Sequence, residues 1–301
     1  MDIGMVGLGK MGANMVERLL KGGHRVVAYD INEAAVQAAQ AGGAVGGRTL
    51  DELVQALGAP RSVWLMVPSG KITDDAVAAL LERLAPGDTL LDGGNSYYKD
   101  SQRHAALAAQ KGVHFIDVGT SGGIWGLKEG YCLMVGGDPA DVERHRTIFE
   151  TLAPAPDHGW GRVGPVGAGH FVKMIHNGIE YGLMQAYAEG FEIMKARQEF
   201  GFSLEQIAEI WRYGSVVRSW LLDLIGHVLS ADEDLKGIKA WVPDSGEGRW
   251  TAFEAIDLNV SAPIITLSLD RRIRSREEEP FSDKLLSALR HEFGGHEVKK
   301  E

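Results

Sequence analysis

Five polar side chains with the means for acid–base chemistry fall within nine residues of one another, in the stretch KMIHNGIEY. They are Lys173, His176, Asn177, Glu180 and Tyr181. Their spacing places all five on a single face of an α-helix. A lysine and a glutamate that share a face form a pair that can take up and deliver protons.

The remaining residues of this stretch predict a helix that is buried on at least one side. Met174, Ile175 and Ile179 occupy its other face, and Leu183 and Met184 continue the apolar character. A polar stripe on a helix is most often its solvated face. Whether this stripe is a site therefore depends on the elements that position it.

The composition indicates a globular protein of one or two domains, with 301 residues, 45% of them hydrophobic and 24% charged. The net charge of −10 argues against a general nucleic-acid binder, so any anion site must be built locally. The single cysteine, Cys132, excludes an internal disulfide framework, fits a reducing compartment and is expected to pack as a small core residue. The sequence shows no metal-binding cluster.

Neither a signal peptide nor a membrane span is expected. The start, MDIGMVGLGK, lacks the basic residues and long apolar core of a signal peptide. No run of about eighteen apolar residues occurs elsewhere. We therefore expect a cytoplasmic protein.

The first thirty residues have the pattern of a dinucleotide-binding βαβ unit: the strand IGMV, the turn GLGKMG, the helix ANMVERLLKGG and the strand HRVVAYD. Three glycines in the turn would allow a tight bend, give room for a pyrophosphate and let the helix approach the strand. The carboxylate of Asp30 suits the ribose diol of NAD and repels the extra phosphate of NADP, so we expect NAD in preference to NADP. The cofactor site is expected to comprise Gly7, Leu8, Gly9, Lys10, Met11, Gly12, Asp30, Val67 and Asn95.

Strands and helices continue to alternate through SVWLMVP, ITDDAVAALLERLAPG, DTLLDGGN, KDSQRHAALAAQKG and VHFIDVGTSGG. This alternation predicts an α/β Rossmann-type doubly wound N-terminal domain over residues 1–163, with a parallel sheet that ends near YCLMVGG. The loops VPSG, DGGN and TSGG follow strands, so they should form the ligand crevice.

The second half predicts an all-α C-terminal domain over residues 164–301. A glycine-rich entry leads into one long helical pattern, GAGHFVKMIHNGIEYGLMQAYAEGFEIMKAR. Further helices are expected in SLEQIAEIWRYG, SVVRSWLLDLIGHVLS, RWTAFEAIDLNV and FSDKLLSALRHEF, followed by an irregular tail, GGHEVKKE.

Motifs along nearly the whole chain resemble those of the 6-phosphogluconate dehydrogenases, within the wider β-hydroxyacid dehydrogenase superfamily. They are GLGKMGANM, DGGNSYYKDS, VGTSGGIWGLKEGYCLMVGG, GAGHFVKMIHNGIEYGLMQAYAEG and RWTAF. The chain is similar to a short type of this enzyme, with one copy of a helical unit that the long type duplicates. The resemblance implies oxidative decarboxylation of 6-phosphogluconate to ribulose 5-phosphate and CO2 with NAD, by a homodimer or a dimer of dimers.

The same resemblance implies roles for individual residues. Lys173 matches the family's general base and acid, and Glu180 its second acid. The motif RHEFGGH resembles a family tail that reaches across a dimer. The family's basic phosphate ligand ahead of the KWT-like segment is missing from DSGEGRWT, which leaves Arg249 as a candidate substitute. Substrate contacts are implied for Asn95, Ser121, Gly122, Gly123, His176, Asn177, Tyr181, Arg274, Arg290 and His296.

The side-chain chemistry suits this reaction. A neutral Lys173 can accept the hydroxyl proton, and desolvation in a closed cleft favours a neutral lysine by lowering its pKa. The protonated lysine can then polarise the carbonyl of the 3-keto acid while CO2 leaves. Glu180 can protonate the resulting enediol at carbon 1.

Other readings remain open from the residues alone. Asn95 and Ser121 would also suit turn and helix caps, and DRRIRSR would suit a solvated charged run. A 3-hydroxyisobutyrate-type dehydrogenase would keep the lysine and the SGG loop without needing Glu180. A non-catalytic NAD sensor would use the same fold.

Overall fold

The structure, a computed structural model, describes residues 1–299 of the chain. It contains two compact units, Met1–His176 and the residues from Asn177 onward, and their division falls inside one long helix. The domain limits expected from the sequence, 1–163 and 164–301, stay a prediction.

The first unit is built on an eight-stranded sheet. Its strands are β1 (Asp2–Val6), β2 (Arg25–Tyr29), β3 (Val45–Gly46), β4 (Ser62–Leu65), β5 (Thr89–Asp92), β6 (His114–Ser121), β7 (Cys132–Gly136) and β8 (Trp160–Gly164). Their order in the sheet is β3-β2-β1-β4-β5-β6-β7-β8. All neighbouring strands are parallel except β6 and β7, which are antiparallel. Strand order reverses between β1 and β4, which is the topological switch point where doubly wound folds bind ligands.

Eight α-helices accompany these strands. They are α1 (Lys10–Lys21), α2 (Glu33–Ala41), α3 (Leu50–Gln55), α4 (Lys71–Leu81), α5 (Tyr98–Gln110), α6 (Gly126–Glu129), α7 (Pro139–Arg144) and α8 (Arg146–Leu152). A short 3-10 helix, Gly123–Trp125, precedes α6. The α/β Rossmann-type fold that the alternating pattern predicts is confirmed.

Helices on both faces of the sheet bury two apolar cores. Side chains of a strand point alternately to opposite faces, so neighbours in sequence contribute to different cores. Met5 and Trp64 belong to the core under α1 and α8, whereas Val6 and Leu65 belong to the core under α3, α4 and α5. The strands are therefore continuously apolar, as expected for parallel strands covered on both sides.

Two expectations for the first unit are wrong. β7 is not the last strand, because β8 pairs with it in parallel; a strand carrying two glycines gives little sequence signal, since glycine is unfavourable in strands. Cys132 is exposed rather than a core residue. It begins β7 opposite Ser121, and the next residue, Leu133, takes the buried side of the strand.

The second unit consists of helices. Its small core is formed by buried residues including Phe191, Leu204 and Leu222. The structure confirms the helices predicted from the periodicity and adds α13, which the sequence pattern did not predict. They are α9 (Ala168–Ala196), which begins in the first unit, α10 (Leu204–Arg212), α11 (Trp220–Ala231), α12 (Glu247–Asp257), α13 (Pro263–Arg274) and α14 (Phe281–Gly294).

None of the helices in residues 1–299 combines the length and apolar character that crossing a bilayer requires.

Candidate active site

The glycine turn after β1 has three different backbone environments. Gly7 adopts a φ of +98°, and a Cβ there would lie 2.4 Å from the Met66 carbonyl oxygen. A Cβ on Gly12 would lie 2.0 Å from the Gly7 oxygen, so α1 can approach the turn only without a side chain at that position. A Cβ on Gly9 would meet no atom within 4 Å. The turn is thus tight at two glycines and open at the third, where α1 begins.

The open space lies at the N-terminal end of α1. Lys10 and Met11 are the first two residues of that helix, and Gly9, its N-cap, provides no side-chain hydrogen bond. The free N–H groups and positive dipole end of a helix favour an anion at such a place. Val67 follows β4, at the same carboxyl edge of the sheet, and is half-buried.

Asp30 is fixed beside this turn by two backbone donors. The N–H of Leu8 donates to its Oδ2 at 2.6 Å, and the N–H of Asn32 donates to its Oδ1 at 2.7 Å. The carboxylate therefore has a defined position at the end of β2. A cavity of about 270 Å³ adjoins it, lined by Tyr29, Asp30, Ile31, Glu33, Val36, Gly47 and Arg48.

Asn95 links two of the loops at the carboxyl edge of the sheet. Its side-chain amide donates to the Thr120 carbonyl at 3.0 Å, and its Oδ1 accepts from the Thr120 N–H at 2.8 Å. Its φ of +54° is unusual for a residue other than glycine. The amide thus joins the DGGN loop to the end of β6. These bonds fix the position of Asn95, which both its predicted cofactor contact and its predicted substrate contact require.

The SGG loop continues directly from β6. Ser121 is the last residue of that strand, and Gly122 and Gly123 adopt φ values of +131° and +51°. Gly122 serves as the N-cap of the 3-10 helix and provides no side-chain hydrogen bond to it, so Ser121 is not the cap that sequence alone allowed. The loop leaves Ile124 and Trp125 exposed.

Lys173 is buried against the sheet rather than displayed on a solvated face. Lys173 is only 5% exposed, which is unusual because lysine is rarely buried. A Cβ on Gly119 of β6 would lie 2.5 Å from the Lys173 Cβ, so the glycine is what allows the lysine to approach the strand. The stripe of polar residues on α9 is therefore buried, not solvated, at this end.

Further along α9, the side of the helix that carries Ile179, Leu183 and Met184 is exposed. Ile179 is 54% exposed, and Leu183 and Met184 are also exposed. His176 and Glu180 are half-buried. The helix is buried on one side, as expected, and Met174 is buried with Lys173 and Tyr181. The apolar residues Ile179, Leu183 and Met184, which were expected to be buried, are exposed instead.

In the second unit, Tyr181 is the centre of a polar cluster. Its hydroxyl is 3.1 Å from the Ser245 Oγ, and the guanidinium of Arg272 lies 3.4 Å from the centroid of its ring. Burial raises the pKa of Tyr181, an effect that the hydrogen bond to Ser245 opposes. Arg249, the candidate substitute for the missing phosphate ligand, instead forms an ion pair of 2.6 Å with Asp244.

Arg272, which stacks on Tyr181, is not among the residues that the sequence predicts for the site. Its Nη1 donates to the Pro243 carbonyl at 3.0 Å, and its Nη2 lies 3.7 Å from the Met184 sulfur. None of its described contacts is a carboxylate. The only sequence signal was its place in DRRIRSR, where nothing distinguishes one arginine from the next.

Asn177 is half-buried on α9, and the three other predicted residues lie on α13, on α14 and beyond α14. Arg274 ends α13 and forms an ion pair of 2.6 Å with Asp283. Arg290 lies on α14 and is exposed. His296 is exposed beyond the end of α14, where its carbonyl lies 2.9 Å from the His291 Nδ1.

These features fit a dinucleotide better than a metal ion. The open position at Gly9 and the fixed carboxylate of Asp30 are at the places where a pyrophosphate and a ribose would lie in such a fold. Within residues 1–299, no group of three or more His, Cys, Asp or Glu side chains is placed to hold a metal.

Comparisons with known proteins give two matches to family profiles. Residues 2–161 match the NAD binding domain of 6-phosphogluconate dehydrogenase, and residues 169–300 match the C-terminal domain of the same enzyme. The chain is 44% identical to YqeC of Bacillus subtilis, and the match covers both chains entirely. It is 42% identical to the NAD(+)-dependent, decarboxylating 6-phosphogluconate dehydrogenase of Haloferax volcanii, over 100% of this chain and 99% of the relative.

Solved structures agree with these matches. The 6-phosphogluconate dehydrogenase of Plasmodium falciparum superposes with a TM-score of 0.83 at 28% identity, over 100% of this chain and 66% of that one. A 3-hydroxyisobutyrate dehydrogenase of Mycobacterium tuberculosis superposes with a TM-score of 0.73 at 23% identity, over 89% of this chain and 91% of that one, which shows a shared fold alone. The two profiles together span nearly the whole sequence, and the chain belongs to the 6-phosphogluconate dehydrogenase family.

Proposed function

We propose that this protein oxidises and decarboxylates 6-phosphogluconate with NAD, releasing CO2 and ribulose 5-phosphate. The observation that carries this proposal is the burial of Lys173 on α9, packed against Gly119 at the carboxyl edge of a dinucleotide-binding sheet. The name of the Haloferax volcanii relative supports both the reaction and the cofactor.

Lys173 acts as the base in this proposal. A bound NAD supplies the acceptor for the hydride that leaves carbon 3 of the substrate. Lys173 takes the proton of the hydroxyl on that carbon. Lys173 is 5% exposed, so bulk water has little access to the amine that takes up this proton.

Decarboxylation uses the same lysine as an acid. Its ammonium donates a hydrogen bond to the carbonyl oxygen of the 3-keto acid, which accepts the electron pair left by the departing CO2. Glu180, seven positions further along α9, then delivers a proton to carbon 1 of the enediol. His176 and Asn177 lie between them on the helix, and in this proposal they orient the substrate's hydroxyl and carboxylate groups.

Phosphate recognition involves Arg272 in addition to Arg274. A planar guanidinium forms paired hydrogen bonds with a phosphate, and Arg272 has a fixed plane because it stacks on Tyr181. Its described contacts leave its charge without a carboxylate partner, unlike those of Arg249 and Arg274. A phosphate would thus not have to displace an acid from Arg272.

Self-association is supported by the exposed apolar surface of α14. No residue of this helix is buried, and Phe281, Leu285, Leu289 and Phe293 follow one another at intervals of four along it. A fourteen-residue helix gains too little from its own hydrogen bonds to be stable in water without packing. We infer that a second copy of the chain covers this stripe in a homodimer, or in a dimer of dimers, and that Arg290 and His296 then reach the partner's site. A cytoplasmic location stays a prediction.

The first prediction concerns the reaction and its base. The purified protein should produce CO2 and NADH in equal amounts from 6-phosphogluconate, whereas a 3-hydroxyisobutyrate-type enzyme would release no CO2. Lys173→Met should lower kcat by about a hundredfold to ten-thousandfold, the usual contribution of an acid–base group, while the NAD dissociation constant stays unchanged. A variant that keeps a tenth of the wild-type kcat would rule out Lys173 as the base.

A second prediction concerns cofactor choice. Asp30→Ser should weaken NAD and raise the relative use of NADP, because it removes both a ribose acceptor and a charge that repels the extra phosphate. The measurement is the ratio of kcat/KM for the two cofactors. Glu33→Gln is the matched control, since it removes a negative charge from the same cavity without touching the strand end. The interpretation fails if the ratio is the same in wild type and Asp30→Ser.

The third prediction tests Arg272. Arg272→Ala should raise the KM for 6-phosphogluconate about tenfold to a hundredfold, because a charge-assisted bond contributes about 1.5–3 kcal/mol. The adjacent Arg271→Ala is the control, since Arg271 has the same charge and is exposed on the same helix. Equal KM values for the two variants would mean that Arg272 does not bind the phosphate.

A fourth prediction tests whether the tail acts across subunits. Lys173→Met and Arg290→Ala chains should each be nearly inactive at low substrate, yet mixing them should restore some fully intact sites if Arg290 serves the partner. Subunit exchange is followed with differently tagged chains. Mixed dimers that are no more active than the separate variants, despite exchange, would show that each tail serves its own chain or none.

A further inference from the structure

A buried carboxylate caps the helix that carries Lys173. Asp117 lies in the middle of β6 and is fully buried. Its Oδ1 accepts from the Gly167 N–H at 2.6 Å, and its Oδ2 accepts from the His170 N–H at 2.8 Å. Helix α9 begins at Ala168, so these two donors belong to its N-terminal turn. Asp117 therefore fills the role of an N-cap residue, but from a strand 50 residues away in sequence.

The capping is required because the turn lies directly on the sheet. A Cβ on Gly169 would be 2.4 Å from the Met134 carbonyl oxygen and 2.6 Å from that of Asp117. A Cβ on Gly136 would be 2.4 Å from the Asp117 Oδ1. Backbone packed this closely excludes water, and a buried N–H group without an acceptor costs about 1–3 kcal/mol.

The capped turn leads directly to Lys173. Gly119 is two residues beyond Asp117 on β6, so it faces the same side of the sheet. It is Gly119 whose missing side chain accommodates the Lys173 Cβ. His170, whose N–H the carboxylate binds, precedes Lys173 by three positions and so shares its side of α9. Strand β6 thus contacts two successive turns of α9. Asp117 binds the first turn, and Gly119 packs against Lys173 on the second.

We propose that Asp117 is a positioning residue that sets the placement of Lys173 by anchoring the first turn of α9 to β6. It does not touch the substrate and does not carry the proton. The inference rests on the proposed role of Lys173 as the base. A misplacement of a reacting group by about 1 Å can cost a hundredfold in rate, so an anchor of this kind acts on kcat.

The two N–H donors of the helix account for an aspartate at position 117, although its burial opposes the charged form. Burial raises the pKa of the Asp117 carboxyl, and the nearby carboxylate of Asp92 on β5 acts in the same direction. His170 and the N–H groups of Gly167 and His170 oppose both effects. An aspartate has two oxygens that both accept, whereas an asparagine amide has one acceptor and would turn donors toward the helix.

The test is Asp117→Asn in the full-length chain. We expect kcat to fall about tenfold to a hundredfold per folded site, counted by NADH binding, with the KM for 6-phosphogluconate and the NAD dissociation constant within about threefold of wild type. The same substitution is then made in Lys173→Ala, with methylamine supplied in place of the lysine amine. There it should change the rescued rate by less than about twofold, because a residue that acts through Lys173 has nothing left to position.

Asp88→Asn is the matched control. Asp88 is also buried and also accepts two backbone N–H groups, from Arg61 at 2.6 Å and Ala85 at 2.9 Å, but it lies at the amino end of β5. This variant should lose thermal stability without losing kcat per folded site. If Asp117→Asn does not fold, Asp117→Ser, whose hydroxyl can still accept one N–H group, takes its place.

The outcomes distinguish the role of Lys173 as the base from the role of Asp117 in positioning it. A Lys173→Ala variant that stays active would refute the proposed role of the lysine. An inactive Lys173→Ala beside an Asp117→Asn that keeps more than half of its kcat would refute only the positioning role. An equal loss from Asp117→Asn with and without Lys173 would also refute it, since Asp117 would then act on stability or on another group.

Discussion

The close approach of one helix turn to two strands is the constraint on which the rest of the site depends. The first turn of α9 lies against β6 and β7 with glycine at Gly119, Gly136 and Gly169, and a Cβ at any of the three would come within 2.6 Å of another atom. This approach buries backbone N–H groups, and Asp117 accepts two of them. The position of Lys173 follows from the same contact, because the lysine is on the next turn.

This arrangement explains why the polar stripe of α9 is not its solvated face. A helix in a globular protein ordinarily turns its apolar side inward. In α9 the lysine is buried at one end, while Ile179, Leu183 and Ile193 are exposed further along. A large exposed apolar patch commonly marks an interaction site. One side of this helix is thus buried with its lysine and the other exposes apolar side chains, and amphipathicity alone does not tell which side is buried.

The parts of the fold and site that the sequence predicted are those with local causes. The glycine turn was predictable because the bend at Gly7 and the packing at Gly12 arise within one βαβ unit, and Asp30 ends the same unit. Strand β8 was not predictable from the sequence, because its glycine-rich residues form a strand only through pairing with β7. Asp117 did leave a signal, as a charged residue inside the apolar run FIDVG, but its partner lies 50 residues away in sequence and no local pattern connects them. The contact between Arg272 and Tyr181 joins α13 to α9 and is non-local for the same reason.

The charge balance of the second unit bears on how an acidic protein can hold a phosphorylated substrate. The net charge of −10 gives no general attraction for an anion, so recognition must come from individual arginines. Arg249 and Arg274 are each held at 2.6 Å by a carboxylate of the same unit. A phosphate that binds either one must compete with that carboxylate, and the exchange offsets much of the energy of the new ion pair. Arg272 is held by an aromatic ring and a carbonyl instead, so it is positioned without being neutralised. An arginine fixed in this way would lose little conformational entropy on binding a phosphate, and this is the physical basis of the role proposed for Arg272.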